Sequence, residues 1–323
     1  MKVAAVGVHI LDVLGRPVET IPAGQGSARL TEIRATAAGT AAGTAVDLAK
    51  LGAQVAAFGA VGTDLLADIL VLAMAGCDTG GLVRKQGAQT SATILPIRGN
   101  GERPALHVPG ASRLLRLEDI DLRALGDCDA LVLGGPDALA GLTAEDLAAV
   151  VSAGKRAGAL VLVDVLHPGS PRDFERLGPA LALADWFCPN ADQLLALTGR
   201  KDLDEAIADV LALGTGGVAV TLGAEGCVLA DGDRPRAHVP GMKVGVVDTT
   251  GCGDGFDAGF LVGLLLGCDP EDAARLGVAC GSLVATGLGS DAGIESLPQV
   301  LAFLREAEPE TASRIGDVTE VSA

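Results

Sequence analysis

The 323-residue chain has no tyrosine, one tryptophan and six phenylalanines, so only 2% of it is aromatic. Leu, Val and Ala must therefore fill the core, and a ligand carrying an aromatic base would find few rings to stack on. Cations are scarce too: 24 Lys and Arg against 41 Asp and Glu leave a formal net charge of −17. That balance speaks against nucleic acid or an anionic membrane as partner, since both are gripped by a cationic footprint. No Cys-x-x-Cys pair occurs among the seven cysteines (77, 128, 188, 227, 252, 268 and 280). An odd number of widely spaced thiols suits a reducing cytoplasm better than a disulfide framework or a zinc site. The four histidines (9, 107, 167 and 238) show no ligand spacing and read as surface or internally satisfied residues. The longest apolar run, residues 258–268, is bracketed by Asp257 and Asp269 and falls short of a membrane span, and Asp12 interrupts any signal-peptide pattern.

What is present is a chain that is 49% hydrophobic, enough for a substantial core in one large α/β unit or two domains. Short β-branched or apolar runs at residues 3–8, 54–59, 130–133, 160–164, 185–188 and 217–222 alternate with Ala- and Leu-rich periodic segments. The periodicity predicts helices over 40–51, 64–75, 143–157 and 270–286, the third with Thr143 as N-cap and Glu145 and Asp146 in its first turn. Such alternation implies parallel strands covered on both faces. Residues 13–37 and 90–110 break the rhythm; they are hairpin-like and suit a small sheet projecting from the main body. Residues 306–323, with Pro309 and several acidic residues, read as a loosely held tail.

The most informative stretch is residues 248–260, Asp-Thr-Thr-Gly-Cys-Gly-Asp-Gly-Phe-Asp-Ala-Gly-Phe. Gly251, Cys252 and Gly253 lie between a β-branched segment and a long apolar run, so their N–H groups are expected to be the unpaired donors of a helix N-terminus, where anions bind. Asp254 falls in the first turn. A carboxylate there repels a phosphate, which makes sense if it takes a proton from an attacking hydroxyl. An equally simple local reading is an Asp that complements the helix dipole, with glycines making the turn.

The stretch resembles the C-terminal signature of the ribokinase (PfkB) family of carbohydrate kinases, Asp-Thr-x-Gly-Ala-Gly-Asp, with Cys252 replacing Ala. The resemblance implies Asp254 as catalytic base, Gly251, Cys252 and Gly253 as the anion hole for the transferring phosphoryl group, and Asp248 with Thr250 beside a monovalent-cation site. Ala38-Gly39-Thr40-Ala41-Ala42-Gly43, followed by Gly52 and Gly62, resembles the family's N-terminal Gly-Gly-x-x-x-Asn signature. By that resemblance Gly39, Thr40 and Gly43 belong to the sugar site, although Gly43 replaces an Asn that in relatives binds a sugar hydroxyl. Thr221-Leu222-Gly223 with Gly226 resembles the nucleotide-binding loop, and Asn190-Ala191-Asp192-Gln193 resembles the Asn-x-x-Glu motif. Gln193 stands where relatives carry a Glu that organises Mg²⁺ through water, and a neutral amide is the weaker partner. The residue-level alternative is an ordinary helix start with a solvated face.

The implied fold is a ribokinase-like α/β three-layer sandwich with a mostly parallel central sheet. Its main domain would comprise residues 1–12, 38–89 and 111–323, and a β-lid residues 13–37 and 90–110. The implied activity is ATP-dependent phosphorylation of a hydroxyl, expected to be primary, on a sugar or small polyol, with ATP, Mg²⁺ and K⁺ as cofactors and a homodimer formed through the lid. Asp12, at the end of the first strand, is the first choice for gripping sugar hydroxyls, and Asp164, at a similar edge position, is expected at most to serve the Mg²⁺ or phosphate side. A nucleoside kinase of the same family and a non-catalytic sugar or nucleotide sensor are the alternatives. A phosphorylated acceptor is disfavoured, because the acceptor region offers no basic cluster beyond Arg34, Arg98 and Arg103.

Overall fold

The computed structural model describes residues 1–232 and 236–321. The main sheet contains β1 (Lys2–Gly7), β4 (Gln54–Val61), β5 (Asp78–Arg84), β8 (Ala130–Gly134), β9 (Leu160–Asp164), β10 (Trp186–Phe187), β11 (Gly217–Thr221), β12 (Cys227–Asp231) and β13 (Ala237–Val239). Their spatial order is β13-β12-β11-β10-β9-β8-β1-β4-β5. Strands from β11 to β5 pair in parallel, and only the β11–β12 and β12–β13 pairings are antiparallel, at one edge of the sheet. The central strands read as continuous apolar runs because both faces are covered: β8 is buried from end to end. The six strands expected from sequence are present. β5, β12 and β13 were not foreseen: β5 contains the glycine pair Gly80-Gly81, and the other two are short edge pieces.

The described residues also form ten α-helices: α1 (Thr40–Lys50), α2 (Leu65–Ala73), α3 (Ala144–Arg156), α4 (Pro171–Leu181), α5 (Ala191–Thr198), α6 (Leu203–Ala212), α7 (Cys252–Leu265), α8 (Pro270–Val284), α9 (Leu297–Ala307) and α10 (Pro309–Val321). The start of α3 is the one foreseen: the Thr143 hydroxyl accepts from the Asp146 N–H at 3.2 Å, and the Asp146 carboxylate accepts from the Thr143 N–H at 3.0 Å. Such a cap is worth about 1 kcal/mol. Helix α7 is buried along most of its length and lies against α8. Gly255, Gly259 and Gly263 form its contact stripe, and a Cβ on any of them would press into α8. The absent side chains let the two backbones approach closely, fixing where α7 begins.

Residues 306–321 are not the loose tail expected; the last two residues of the expected tail, 322 and 323, lie outside the described residues. Helix α10 packs on α8 and α9, with Ala312 and Ile315 fully buried. The Arg314 guanidinium holds both oxygens of Asp272 at 2.7 and 2.6 Å. The apolar periodicity of this helix is weak because two residues per face and a bidentate ion pair suffice to dock it.

A second sheet, ordered β3-β2-β6-β7, is formed by β2 (Ile10–Arg16), β3 (Glu32–Ala38), β6 (Ala92–Pro96) and β7 (Leu106–Val108). Residue alternation divides it into two faces. Asp12, Thr93 and His107 point one way, in register across β2, β6 and β7, while Ile33, Ile94, Leu106 and Val108 are exposed on the other. Asp12 therefore lies inside a strand of the small sheet and not at the end of β1. The chain turns at Val8 and His9 and re-enters extended structure at Ile10, three residues before the expected start of the lid at residue 13.

Candidate active site

The carboxyl ends of β9, β10 and β11 deliver Asp164, Asn190 and Thr221 to one edge of the main sheet, where open α/β sheets place ligands. Two cavities open along this edge. One, of about 270 Å³, is walled by Asp12, Gly39, Thr40, Thr93, Asp164 and Asp254 among others. The second, of about 560 Å³ and mostly apolar, is walled by Gly223, Gly226, Lys243, Cys252, Phe256 and Ser282 among others. Thr221, Thr249 and Gly253 line both, so the cavities meet at the first turn of α7.

That turn has the geometry of an anion site. Gly251 is the N-cap, in the left-handed region at φ 80°, and a Cβ there would collide with the backbone of Ser290. The first i→i−4 bond of the helix runs from the Gly255 N–H to the Gly251 carbonyl at 2.8 Å, leaving the Gly253 and Asp254 N–H groups ahead of the ladder. Gly253 is exposed, with open space where a side chain would stand. Asp254 is partly accessible from the first cavity but otherwise enclosed. Burial, reinforced by the negative field of Asp12 and opposed by Arg103, pushes its carboxyl up to about 7. Burial likewise lifts Asp12 to about 6, against the hydrogen bond from Thr93 and the charge of Arg103. Cys252 faces the larger cavity, its thiol pushed up to about 12 by burial, so it stays protonated and inert near neutrality.

Asp248 is fully buried and lines neither cavity. One of its oxygens accepts from the Thr250 N–H and hydroxyl at 3.1 and 2.8 Å, the other from the Gly289 N–H at 3.0 Å. It thereby ties the turn before α7 to the loop of residues 286–298. Gly43 is also buried, away from the cavity walls, beneath the Asp254 carboxylate. Asn190 and Gln193 form a reciprocal cap at the start of α5: the Gln193 N–H donates to Asn190 Oδ1 at 2.9 Å and the Asn190 N–H donates to Gln193 Oε1 at 2.8 Å. Gln193 Nε2 donates to the Val165 carbonyl at 2.9 Å, a bond a carboxylate could not make. Gly226 packs against the Val239 carbonyl and Gly241, whereas Gly223 faces open space.

Some wall residues escaped the sequence reading, and Arg103 was named there only as one of the few cations of the acceptor region. Arg103 enters the first cavity from the loop before β7, where its Nε–H donates to the Thr249 hydroxyl at 3.2 Å. His107 and His167 join it there. Asp257 is buried beside Asp164 and the Cys188 thiol. Burial and mutual repulsion raise both carboxyls well above the usual range. No local motif marks these residues, since their neighbours in space are far away in sequence.

An enclosed carboxylate at a helix N-terminus between two ligand-sized cavities is the arrangement of a phosphotransferase that brings a nucleotide and an acceptor together end to end. The chain belongs to the pfkB family of carbohydrate kinases: the model of that family, described as "pfkB family carbohydrate kinase", matches residues 1–297. It is an ATP-dependent carbohydrate kinase of this family. The chain is 31% identical over 302 residues to an ATP-dependent ribose-1-phosphate kinase of Halopiger xanaduensis, covering 90% of this chain and 93% of the relative. Its fold is similar to that of a putative ribokinase II of E. coli solved with ATP and Mg²⁺ (TM-score 0.80, 22% identity, 94% of this chain and 99% of that one). It is also similar to Arabidopsis thaliana ribokinase complexed with ribose and ATP (TM-score 0.79, 24% identity, 94% and 98%).

Proposed function

We propose that this protein transfers the γ-phosphoryl group of ATP to a primary hydroxyl of a sugar or related small polyol. Asp254 is the general base, and the N–H groups of Gly251, Cys252 and Gly253 form the anion hole. The observation that carries this reading is the meeting of the two cavities at Gly253 and Thr249, beside the Asp254 carboxyl, which burial pushes up to about 7. A base matched to the working pH both accepts and releases its proton readily. The acceptor hydroxyl oxygen forms its bond to the γ-phosphorus as the bond to the β,γ-bridging oxygen breaks. The hydroxyl proton passes to Asp254, and ADP leaves along the larger cavity. Positioning and electrostatics supply most of the catalysis in such a transfer.

In this reading Asp12, Gly39 and Thr40 hold the acceptor, and Gly43 contributes by making room for the base. Thr221, Gly223 and Gly226 hold the nucleotide, with Asn190 at the junction. Mg²⁺ enters with ATP. Among the described residues no cluster of three or more metal-ligating side chains exists, which suits an ion held mainly by phosphate oxygens and water near Asn190 and Gln193. The Asp248 and Thr250 turn with the loop of residues 286–298 is the place for K⁺, through oxygen ligands. The small sheet acts as the lid, and its exposed apolar outer face (Ile33, Ile94, Leu106 and Val108) supports a homodimer formed through it.

The relatives include, besides the ribose-1-phosphate kinase, a deoxyribokinase of Salmonella typhimurium, which makes a pentose the first acceptor to try. A nucleoside is disfavoured by the absence of Phe and Trp from the wall of the smaller cavity. A coupled ADP-release assay across pentoses, hexoses, keto-deoxy acids and nucleosides tests the proposal against ATP hydrolysis without acceptor. Acceptor-dependent ADP with sugars is expected, and release with nucleosides alone, or with nothing, overturns it.

A further inference from the structure

The loop of residues 286–298, between α8 and α9, meets the small sheet on one side and the turn that opens α7 on the other. Leu288 belongs to the small sheet's side: it closes an apolar cluster with Leu14 of β2, Leu95 of β6 and Ile97, and none of the four is more than 2% exposed. Its carbonyl accepts from the Arg34 guanidinium of β3 at 2.7 Å. The Gly289 N–H, next along the chain, donates the other way, to Asp248 at 3.0 Å. Ser290 serves both sides. Its hydroxyl donates to the Ala37 carbonyl of β3 at 2.6 Å, and its backbone fills the space where a Cβ on Gly251 would stand. The Asp291 carboxylate pairs with Arg34 at 3.2 Å and with Lys50, in the last turn of α1, at 3.7 Å.

Four consecutive residues thus bind the two partners together with no slack between them. Gly289 has φ 94°, and a Cβ there would press on the Thr36 side chain of β3, so the loop backbone lies directly against the small sheet. If β2 and β3 shift, the loop must follow. Otherwise Leu288 is exposed to water and the buried Ser290 hydroxyl loses its acceptor, and both changes are unfavourable. On the far side, Gly289 and Ser290 touch Asp248 and Gly251, which fix where the first N–H groups of α7 lie. Strand β2 carries Asp12 two residues before Leu14, on the same face and in the wall of the acceptor cavity. A ligand gripped by Asp12 therefore holds the strand that holds Leu288.

We propose, on the basis of the kinase reading above, that residues 288–291 carry the position of the small sheet to the anion hole. Leu288 and Arg34 are positioning residues. They line neither cavity, and they act on phosphoryl transfer through Gly289, Asp248 and the Gly251 turn. Seating of the small sheet on an acceptor completes the anion hole. Without an acceptor the γ-phosphoryl group lacks its full set of N–H donors, and its transfer to water, which would give ADP and inorganic phosphate, is slow. The acceptor thereby licenses its own phosphorylation.

The test uses Leu14→Ala, Leu288→Ala and Arg34→Gln, with Leu288→Met as a volume-conserving rescue. Arg98→Gln is the control, because Arg98 pairs with Glu102 and not with the loop. Thermal melts establish which variants are folded, and the half-exposed Arg34 keeps the test open if the leucine variants are not. Hydrogen exchange of the amides of residues 249–255 is followed with a non-hydrolysable ATP analogue and Mg²⁺ bound. ADP release is measured at constant KCl, with and without the most active member of the acceptor panel above. The three variants should each raise exchange in this turn about tenfold and lower the acceptor-dependent kcat at least about tenfold. The KM for ATP and the acceptor-independent ADP release should stay within about twofold of the wild type. Leu288→Met and Arg98→Gln should behave as the wild type does. Unchanged exchange at residues 249–255, or an equal loss of ADP release with and without acceptor, overturns the proposal while leaving the kinase reading intact. If no compound gives acceptor-dependent ADP release in the wild type, the kinase reading fails and exchange alone decides: a rise in the folded variants keeps the link from small sheet to turn, and no rise removes it.

Discussion

Gly43 on α1 lies directly against Asp254 on α7, and a Cβ built on Gly43 would overlap the Asp254 carboxylate. The missing side chain is therefore the seat of the Asp254 carboxyl, across an interface between two helices. An Ala at an interior helical position ordinarily stabilises by about 1 kcal/mol relative to Gly. Here Gly43→Ala is expected to displace Asp254 and lower kcat by about 10²-fold, since small misplacements of a reacting group have effects of that size. Steady-state kinetics with a circular-dichroism melt check this; an active Gly43→Ala enzyme would show that Asp254 has another seat.

Asp254→Asn should lower kcat by about 10²-fold or more while leaving ATP binding largely intact. The base works only when ionised, and its carboxyl titrates at about 7. The wild-type kcat/KM should thus rise with pH up to about 7 and level off above it. Arg103 lowers the affinity of Asp254 for its proton, so Arg103→Gln should move the inflection upward. A flat profile between pH 5 and 8 contradicts the assignment of the base.

The Asp248 carboxylate joins the turn before α7 to the Gly289 N–H, so anything that orders the loop of residues 286–298 also orders the anion hole. If K⁺ binds there through oxygen ligands, the rate should increase when K⁺ replaces tetramethylammonium at constant ionic strength. Equal rates in the two salts would remove the cation from the mechanism.

Gln193→Glu tests the position where the chain departs from its relatives. The amide now donates to the Val165 carbonyl and accepts from the Asn190 N–H. A carboxylate keeps the second bond, loses the first and faces a carbonyl oxygen, so the melting temperature without Mg²⁺ should fall. The released charge would meet Mg²⁺ at the junction of the cavities and lower the Mg²⁺ concentration needed for half-maximal rate. An unchanged Mg²⁺ midpoint in an active variant leaves residue 193 as a helix cap alone.

The motifs that define the site were legible because each is local: a helix start can be read from residues 248–254, and a strand-to-helix cap from residues 186–193. The parallel sheet was legible for the same reason, since apolar runs and periodic helices alternate in a fixed rhythm. What the sequence hid is long-range. Asp272 and Arg314 hold α10 in place from 42 residues apart, and 60 residues separate His107 from His167. Gly43 looked like a lost sugar contact because nothing near it in sequence shows that Asp254 needs the space. Asp12 was assigned to the wrong strand because the turn is only two residues long and Gly7, which ends β1 at φ 147°, was read as part of an apolar run.

The buried carboxyls make stability fall as pH rises. Asp12 and Asp254 titrate at about 6 and about 7 in the folded protein, against an ordinary value of 3.8, and burial also raises Asp47, Asp164 and Asp257. Between about pH 4 and 7 the folded state therefore holds protons that the unfolded state has released, and each such group contributes stability below pH 4 that is lost as pH climbs through its folded value. Asp47 is the sharpest case: it is fully buried on α1, and neither oxygen has a hydrogen-bond partner among the described residues. Lys50 opposes its rise, but the nearby Asp254 and Asp291 add to it. Asn at this position carries no charge to bury. Without nucleotide or Mg²⁺, the urea midpoint of the wild type should be lower at pH 8 than at pH 5. Asp47→Asn should match the wild type at pH 5 and exceed it at pH 8. A wild-type midpoint that rises over this interval would mean that these carboxyls are ionised in the folded state.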